Sequence, residues 1–291
     1  MHKAGFVNII GNPNVGKSTL MNALVGEKLS IVTSKAQTTR NRIMGIVNGE
    51  DFQIVYSDTP GILQPAYSLQ EYMRKSAGGA LADADIILFV VDVTERPTMD
   101  PDFLKKLSIT KIPVLLLLNK IDLSDEESVR NSVSLWSAML PRAEVIAVSA
   151  TERFNLDEVF SRILDLLPES PPYYQKDSLT DKSERFFTAE IIREKILMNY
   201  HKEVPYSVEI EIESFEVTGT LIRIRAVIYV ARESQKGIII GHHGAKLKKT
   251  GTEARIDIEK FLEKKVYLEL LVRVKKDWRN DPAQLQKFGY R

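Results

Sequence analysis

The sequence predicts two domains in tandem: a doubly wound, mostly parallel α/β sheet over residues 1–167 and an α+β unit over residues 185–291. Three observations carry this. From Gly5 to Leu167 short apolar runs alternate with amphipathic stretches, the pattern of strands joined by crossover helices. Leu167-Pro168-Glu169-Ser170-Pro171-Pro172 then breaks the pattern, because proline lacks an N–H donor and restricts the residue before it. Past a polar linker, residues 168–184, the order becomes helix, strand, strand, helix, helix, strand.

In the first part the strands are Gly5–Ile10, Phe52–Asp58, Asp85–Asp92, Pro113–Asn119 and Glu144–Ser149. Most are nearly continuous Val, Ile and Leu, as expected of parallel strands buried on both faces. Arg42–Val47, followed by Gly49 and Glu50, reads as an edge strand turning into its neighbour. Helical periodicity covers Lys17–Val25, Leu69–Ala82, Pro101–Leu107, Asp125–Leu140 and Leu156–Leu167. In the second part a helix at Phe186–Asn199 precedes two alternating strands, Ser207–Val217 and Thr220–Ala231, turned at Thr218-Gly219. A Gly-rich turn, Lys236–Gly244, leads into a long helix with Leu247, Ala254, Ile258, Phe261 and Leu262 on one face. A last strand, Val266–Val274, closes the unit.

Composition removes several chemistries. With no cysteine there is no disulfide, iron–sulfur cluster, thiolate zinc site or cysteine nucleophile. None of the four histidines is spaced with a carboxylate as metal ligands are. The longest apolar runs, Ile86–Val91 and Val114–Leu118, are far short of the ~20 residues of a membrane span. The N-terminus enters a strand at once without a charged-then-apolar leader, so a cytoplasmic protein is expected. The net charge of +1 hides an asymmetry: residues 231–291 hold fifteen Lys and Arg against eight Asp and Glu, or +7, and the other 230 residues carry −6. A basic C-terminal end points to a polyanionic partner.

Gly11-Asn12-Pro13-Asn14-Val15-Gly16-Lys17-Ser18 fits G-x-x-x-x-G-K-[ST], with Thr19 following, between a predicted strand and a predicted helix. The glycines let backbone N–H groups turn inward around phosphate, at the positive end of a helix. Lys17 would reach the β- and γ-phosphates and Ser18 would ligate Mg²⁺. Three more motifs fall on strand ends. Asp58-Thr59-Pro60-Gly61 places an acid near the metal and an N–H, that of Gly61, where a γ-phosphate would sit. Asn119-Lys120-Ile121-Asp122 supplies a carboxylate that accepts from N1–H and the 2-amino group of guanine, donors that adenine lacks. Ser149-Ala150-Thr151 offers a backbone N–H to the guanine oxygen. In the second part, Gly241-His242-His243-Gly244 lies between helices, and its glycines would let a sugar–phosphate backbone approach closely.

Together these motifs resemble the translation-factor-related GTPases and, over essentially the whole chain, the bacterial Era family. The resemblance implies a P-loop NTPase fold joined to a type II KH domain, and hydrolysis of GTP to GDP with Mg²⁺. Gln37-Thr38-Thr39-Arg40-Asn41 matches that family's first switch loop, which makes Thr39 a third Mg²⁺ ligand beside Ser18 and Asp58, and puts Lys17, Thr39 and Gly61 in the catalytic set. Ile62 stands where Ras-like proteins carry a water-orienting glutamine, so slow intrinsic turnover is expected. Asn14 is at the position where relatives hold a monovalent cation, and implies stimulation by K⁺.

On the RNA side the resemblance assigns Lys236, Gly237, Ile240, Gly241, His242, His243, Gly244, Lys246, Lys248 and Lys249. Family members usually carry Lys or Arg between the two glycines; the histidines here weaken that part of the phosphate attraction near neutral pH. The implied partner is 16S ribosomal RNA near its 3′ end, and the implied process is assembly of the small ribosomal subunit by a monomeric protein. Peripheral association with the inner membrane through the basic end is also implied. Two other readings stay open on residues alone: an RNA-binding assembly factor with a non-hydrolysing nucleotide site, and a GTPase acting in tRNA modification or at the membrane.

Overall fold

The structure is a computed structural model that describes residues 1–62, 65–96 and 100–290; Arg291, counted above in the basic stretch, lies outside the described residues. The chain divides into two compact units. One comprises Met1–Ser30, Thr39–Gln64 and Met73–Asp181; the other comprises Ile31–Thr38, Pro65–Tyr72 and Lys182–Arg291.

The first unit is built on a six-stranded sheet. Its strands are β1 (Lys3–Ile10), β2 (Ile43–Asn48), β3 (Phe52–Asp58), β4 (Ile86–Asp92), β5 (Val114–Asn119) and β6 (Glu144–Ala147) in the order β2-β3-β1-β4-β5-β6. All neighbours are parallel except β2, which runs antiparallel to β3 at the edge. Strand β4 is buried along its whole length, as its unbroken Ile-Ile-Leu-Phe-Val-Val run requires of a central strand. Helices α1 (Lys17–Val25), α2 (Ser68–Ala82), α3 (Pro101–Ile109) and α4 (Glu126–Met139) make the connections, and α5 (Leu156–Leu166) follows the last strand. Phe89 of β4 and Trp136 of α4 meet edge to face at 5.6 Å in the core between sheet and helices. Helix starts follow sequence chemistry: Asp100 accepts from the Asp102 N–H before α3, and Asp125 from the Ser128 N–H before α4.

The polar stretch after α5 is not free chain. Ile46 N–H donates to Leu179 O at 2.8 Å, the Thr180 hydroxyl donates to Met44 O at 2.6 Å, and Gly45 pairs with Thr180 as an antiparallel bridge. This segment therefore covers the open edge of β2. Gln53, fully buried in β3, anchors it: Oε1 accepts from the N–H groups of Tyr173 and Tyr174, and Nε2 donates to Tyr174 O and Asn48 Oδ1. Gln53→Ala strands these groups and is expected to lower unfolding free energy in urea by about 2–3 kcal/mol.

In the second unit, α6 (Glu184–Asn199), β7 (Glu209–Thr218), β8 (Leu221–Val230), α7 (Glu233–Ile240), α8 (Ala245–Leu262) and β9 (Lys265–Val274) follow in the predicted order. The sheet runs β7-β8-β9, with β7 antiparallel and β9 parallel to β8. Its core joins Ile192 and Ile196 of α6, Ile224 and Ile228 of β8, Ile239 of α7, and Ala254 and Ile258 of α8.

Two sequence expectations are corrected here. Lys236, Gly237 and Ile240 lie inside α7, not in a turn: Gln235 Oε1 accepts from the N–H groups of Ala231 and Arg232 and starts a helix that buried Ile239 anchors to the core. The turn is confined to residues 241–244. Nor does the last strand close the unit. A short helix, α9 (Pro282–Lys287), follows, started by Asp281 and locked down by buried Trp278, whose indole N–H donates to Ser207 O at 3.0 Å. Smaller shifts leave Ser149 outside β6, where it bridges Phe154, and Ser207 in a 3₁₀ turn before β7.

The segments Ile31–Thr38 and Pro65–Tyr72 are held inside this second unit. The Lys35 ammonium donates to the carbonyls of Leu197 and Tyr200 at the end of α6. Arg193, buried on α6 and paired with Glu190, donates to Thr38 O at 2.5 Å. Tyr67 donates to Gln37 Oε1 and lies under the Arg279 guanidinium.

Candidate functional site

The loop between β1 and α1 is the first part of the site. Gly16 takes φ +98°, and a Cβ there would come within 2.3 Å of Asn119 Nδ2, so only glycine lets the loop pass beneath the Asn119 amide. Asn14 adopts a left-handed conformation and is exposed, Val15 is buried beneath it, and Thr19 is half-buried in the first turn of α1. Lys17 is buried, and its ammonium donates to Gly11 O at 3.1 Å and Asn12 O at 2.7 Å, so it lies coiled within the loop. Burial pushes Lys17 down to about 8, against the opposite pull of Asp58.

The three expected metal ligands meet although they are far apart in sequence. Ser18 Oγ lies 2.7 Å from Asp58 Oδ2 and 2.9 Å from Thr39 Oγ1, and Thr39 donates to the same carboxylate oxygen at 3.2 Å. Asp58 is fully buried and its Oδ1 has no hydrogen-bond partner among the described residues. Burial raises the carboxyl above its usual range, offset in part by the Ser18 bond, the Lys17 charge and the Ser30 and Thr39 hydroxyls. Two hydroxyls and an under-satisfied buried carboxylate form a hard oxygen donor set, which fits Mg²⁺. Thr59 differs from its neighbours, since its hydroxyl is spent on Ile9 O at 2.8 Å and braces β1. Buried Pro60 leads to Gly61, which packs directly on Pro13: a Cβ would lie 2.7 Å from the Pro13 backbone. The Ile62 N–H donates to Gly11 O at 3.2 Å, so this loop rests on the P-loop. The hydrocarbon side chain of Ile62 offers no hydrogen bond to a water molecule.

Asn119 ties three loops together: Nδ2 donates to Val15 O at 2.8 Å and Oδ1 accepts from the Ala150 N–H at 3.0 Å. Lys120 is left-handed, at φ 65°, and Ile121 and Asp122 begin a 3₁₀ turn. Asp122 is exposed and accepts from the Ser149 hydroxyl at 2.5 Å, and Thr151 is exposed beside that serine. An acceptor carboxylate, a hydroxyl that orients it and a loop of amides thus stand at the carboxyl ends of β5 and β6, where α/β sheets bind ligands.

In the second unit Gly241 and Gly244 have φ +71° and +77°. His242 and His243 are exposed at the tip, and Lys246, Lys248 and Lys249 are exposed on the first turns of α8. Lys236 and Gly237 lie on α7 at the far side of the turn, with Ile240 half-buried at its end. Beside the turn a groove is lined by Gly244, Leu247, Lys248, Gly251, Arg255, Leu268 and Leu270. Its apolar floor and basic rim suit single-stranded bases with their phosphates outside. In the sequence Leu247 stands out only on the apolar face of its helix, and Gly251, Arg255, Leu268 and Leu270 do not stand out. The spacing 244, 248, 251, 255 is a helical stripe that signals Gly251 and Arg255, whereas Leu268 and Leu270 come from β9 and carry no such signal.

The 50S ribosome-binding GTPase family matches residues 6–120, and the KH domain family matches residues 203–279. The chain is 47% identical over 294 residues to GTPase Era of Clostridium kluyveri, covering all of both chains. It is 47% identical over 289 residues to GTPase Era of Geotalea daltonii, covering 99% of this chain and 97% of the relative. Among solved structures, a variant of Aquifex aeolicus Era bound to GDP and AlF4⁻ superposes with a TM-score of 0.95 at 40% identity, covering 99% of each chain. Era in complex with MgGDPNP and nucleotides 1506–1542 of 16S ribosomal RNA superposes with a TM-score of 0.95 at 39% identity, covering 100% of this chain and 99% of the other.

Proposed function

The chain belongs to the Era family of GTPases, and from that premise we propose that it is a guanine-nucleotide switch that binds 16S ribosomal RNA near its 3′ end and acts in assembly of the small ribosomal subunit. It hydrolyses GTP and uses Mg²⁺. The observation that carries the reading is the convergence of five sequence-distant loops, with Asn119 bonded to both Val15 and Ala150, and Ser18, Thr39 and Asp58 within 3.2 Å of one another.

In this reading the Lys17 ammonium uncoils onto the β- and γ-phosphates and neutralises charge that builds up there during transfer. The backbone N–H groups of Asn14–Thr19 hold the phosphate chain, and the Gly61 N–H reports whether a γ-phosphate is present. Ser18, Thr39 and Asp58 would hold Mg²⁺, which when bound draws charge from the phosphate oxygens. Asp122 accepts from the guanine edge while the Ser149–Thr151 loop closes over it. With Ile62 in place of a glutamine, water is positioned by other groups and intrinsic turnover is slow. Asn14 would support a K⁺ ion at the loop.

Coupling between the activities has a route along the chain. Thr39 sits with Ser18 and Asp58, and the preceding residue, Thr38, is held by Arg193 of α6. Ordering of Thr39 by GTP therefore pulls on a residue tied to the RNA-binding unit, by as much as the affinity of GTP differs between the two arrangements. The proposed setting is the cytoplasm, with the basic C-terminal end available for peripheral contact with an anionic membrane. No helix among the described residues is long and apolar enough to cross one.

Titration of a labelled RNA carrying the 3′ end of 16S ribosomal RNA into the full chain, loaded with a non-hydrolysable GTP analogue or with GDP, tests this. Binding that depends on the nucleotide supports the switch; equal binding in both states removes the coupling, and no binding removes the RNA partner.

A further inference from the structure

Lys120 stands between Asn119 and Asp122 in the sequence of its loop, and its ammonium is directed to the neighbouring strand. Lys120 Nζ lies 2.6 Å from Asp92 Oδ2, at the end of the neighbouring strand β4. The Asp92 side chain is 2% exposed and that of Lys120 29%. Asp92 is itself held: Oδ1 accepts from the Thr94 N–H at 2.9 Å and from the Thr94 hydroxyl at 2.7 Å. Strand register puts Asp92 opposite Asn119, and Val93 N–H donates to Asn119 O at 3.0 Å, so the carboxylate is rigidly placed beside the loop. Burial alone would push the Asp92 carboxyl up; the hydrogen bonds from Lys120 and Thr94 outweigh it and hold the group below the usual carboxylate range.

This placement matters because of Asp122. A lysine ammonium is a mobile point charge on a four-carbon stem, and a carboxylate two residues along the same turn is within its reach. Paired with Asp122, it would occupy the oxygens that accept from guanine. Asp92 removes that competitor by offering a better partner, one that is buried, pre-ordered by Thr94 and charged at neutral pH.

We infer that Asp92, a residue outside the four nucleotide motifs, is a positioning residue for guanine recognition: it captures the Lys120 ammonium and thereby leaves the Asp122 carboxylate to the base. The inference rests on the nucleotide reading of this site. Asp92→Asn is a clean probe, since the amide keeps the oxygen that accepts from Thr94 and loses only the charge facing Lys120. With the full chain and fluorescent GDP at equilibrium, Asp92→Asn is expected to raise Kd about tenfold, the scale of one charge-assisted bond. Its preference for GDP over inosine diphosphate, which lacks the 2-amino group, should fall as well, a change that a general loss of structure would not produce. In a Lys120→Met background the same substitution should change Kd by less than about twofold, because no ammonium remains to be captured. Thr94→Val, which loosens Asp92 without removing its charge, should shift affinity in the same direction by a smaller factor. An unchanged Kd for Asp92→Asn, or the same loss in both backgrounds, overturns the inference. Failure of the unsubstituted chain to bind GDP overturns the nucleotide reading, and the inference with it.

Discussion

Asp122→Asn is expected to weaken GTP and GDP binding by about a hundredfold and to leave the fold intact. In the proposed site the carboxylate accepts from two donors on one edge of guanine, and hydrogen bonds to a charged group contribute about 1.5–3 kcal/mol each. An amide keeps one oxygen but turns an N–H₂ toward the 2-amino group, so one bond is lost and a donor meets a donor. About 3 kcal/mol corresponds to about two decades in Kd. The same amide can donate to a C2 carbonyl, so affinity for xanthosine diphosphate should rise in the variant while that for GDP falls. Stability should move by less than about 0.5 kcal/mol, because Asp122 is exposed and its one described hydrogen bond is to the Ser149 hydroxyl, a partner that an amide oxygen retains. Competition of the three nucleotides against a fluorescent probe, with urea unfolding of the same samples, checks both halves.

The second large effect lies in the other unit. Replacing Gly241 and Gly244 together by Asp should reduce RNA affinity by about a hundredfold or more at physiological salt, with GDP affinity unchanged. Two carboxylates at the tip of the turn would repel the phosphates that the turn is proposed to admit, and side chains would fill the space proposed for the RNA backbone. The two positions are not equivalent. A Cβ at Gly241 would lie 2.8 Å from Cβ and Cγ of Lys246, whereas one at Gly244 meets nothing within 4 Å. Gly241→Asp therefore carries a steric and conformational penalty as well as a charge, and Gly244→Asp carries backbone strain, which Asp tolerates better than most residues, together with charge. Gly244→Asp alone should retain stability and still lose most RNA binding, which separates a defect in recognition from one in folding.

Much of this was legible in the residues because the signals were local and chemically strict. A run such as Ile86–Val91 has one fate in an α/β chain, and β4 is buried along its length. The phosphate loop declares itself by glycines whose positions the backbone demands, as at Gly16. Where the sequence reading stopped short, the deciding contact was distant. Gly237 looks like a turn residue by composition, yet the Gln235 side chain starts a helix through it and the core takes up Ile239. The stretch after Leu167 reads as a linker because prolines end the helix, while the hydrogen bonds that fix it come from Gln53 and β2, more than 100 residues earlier. The α9 helix is six residues long, too short for periodicity to reveal, although Asp281-Pro282 marks its start. Asp92 carries no motif at all; its bearing on Lys120 exists only through the register of β4 on β5.

The central claim is a pocket that grips phosphates and admits only the purine with an amino group at C2. Competition of unlabelled GTP and ATP for fluorescent GDP bound to the full chain, with Mg²⁺ present, tests it most directly. GTP is expected to displace the probe at concentrations at least about a thousandfold below those needed for ATP, as a site that hydrogen-bonds its ligand rejects an analogue lacking those donors. Displacement by ATP at the same concentration as GTP, or no uptake of the probe, would contradict the account.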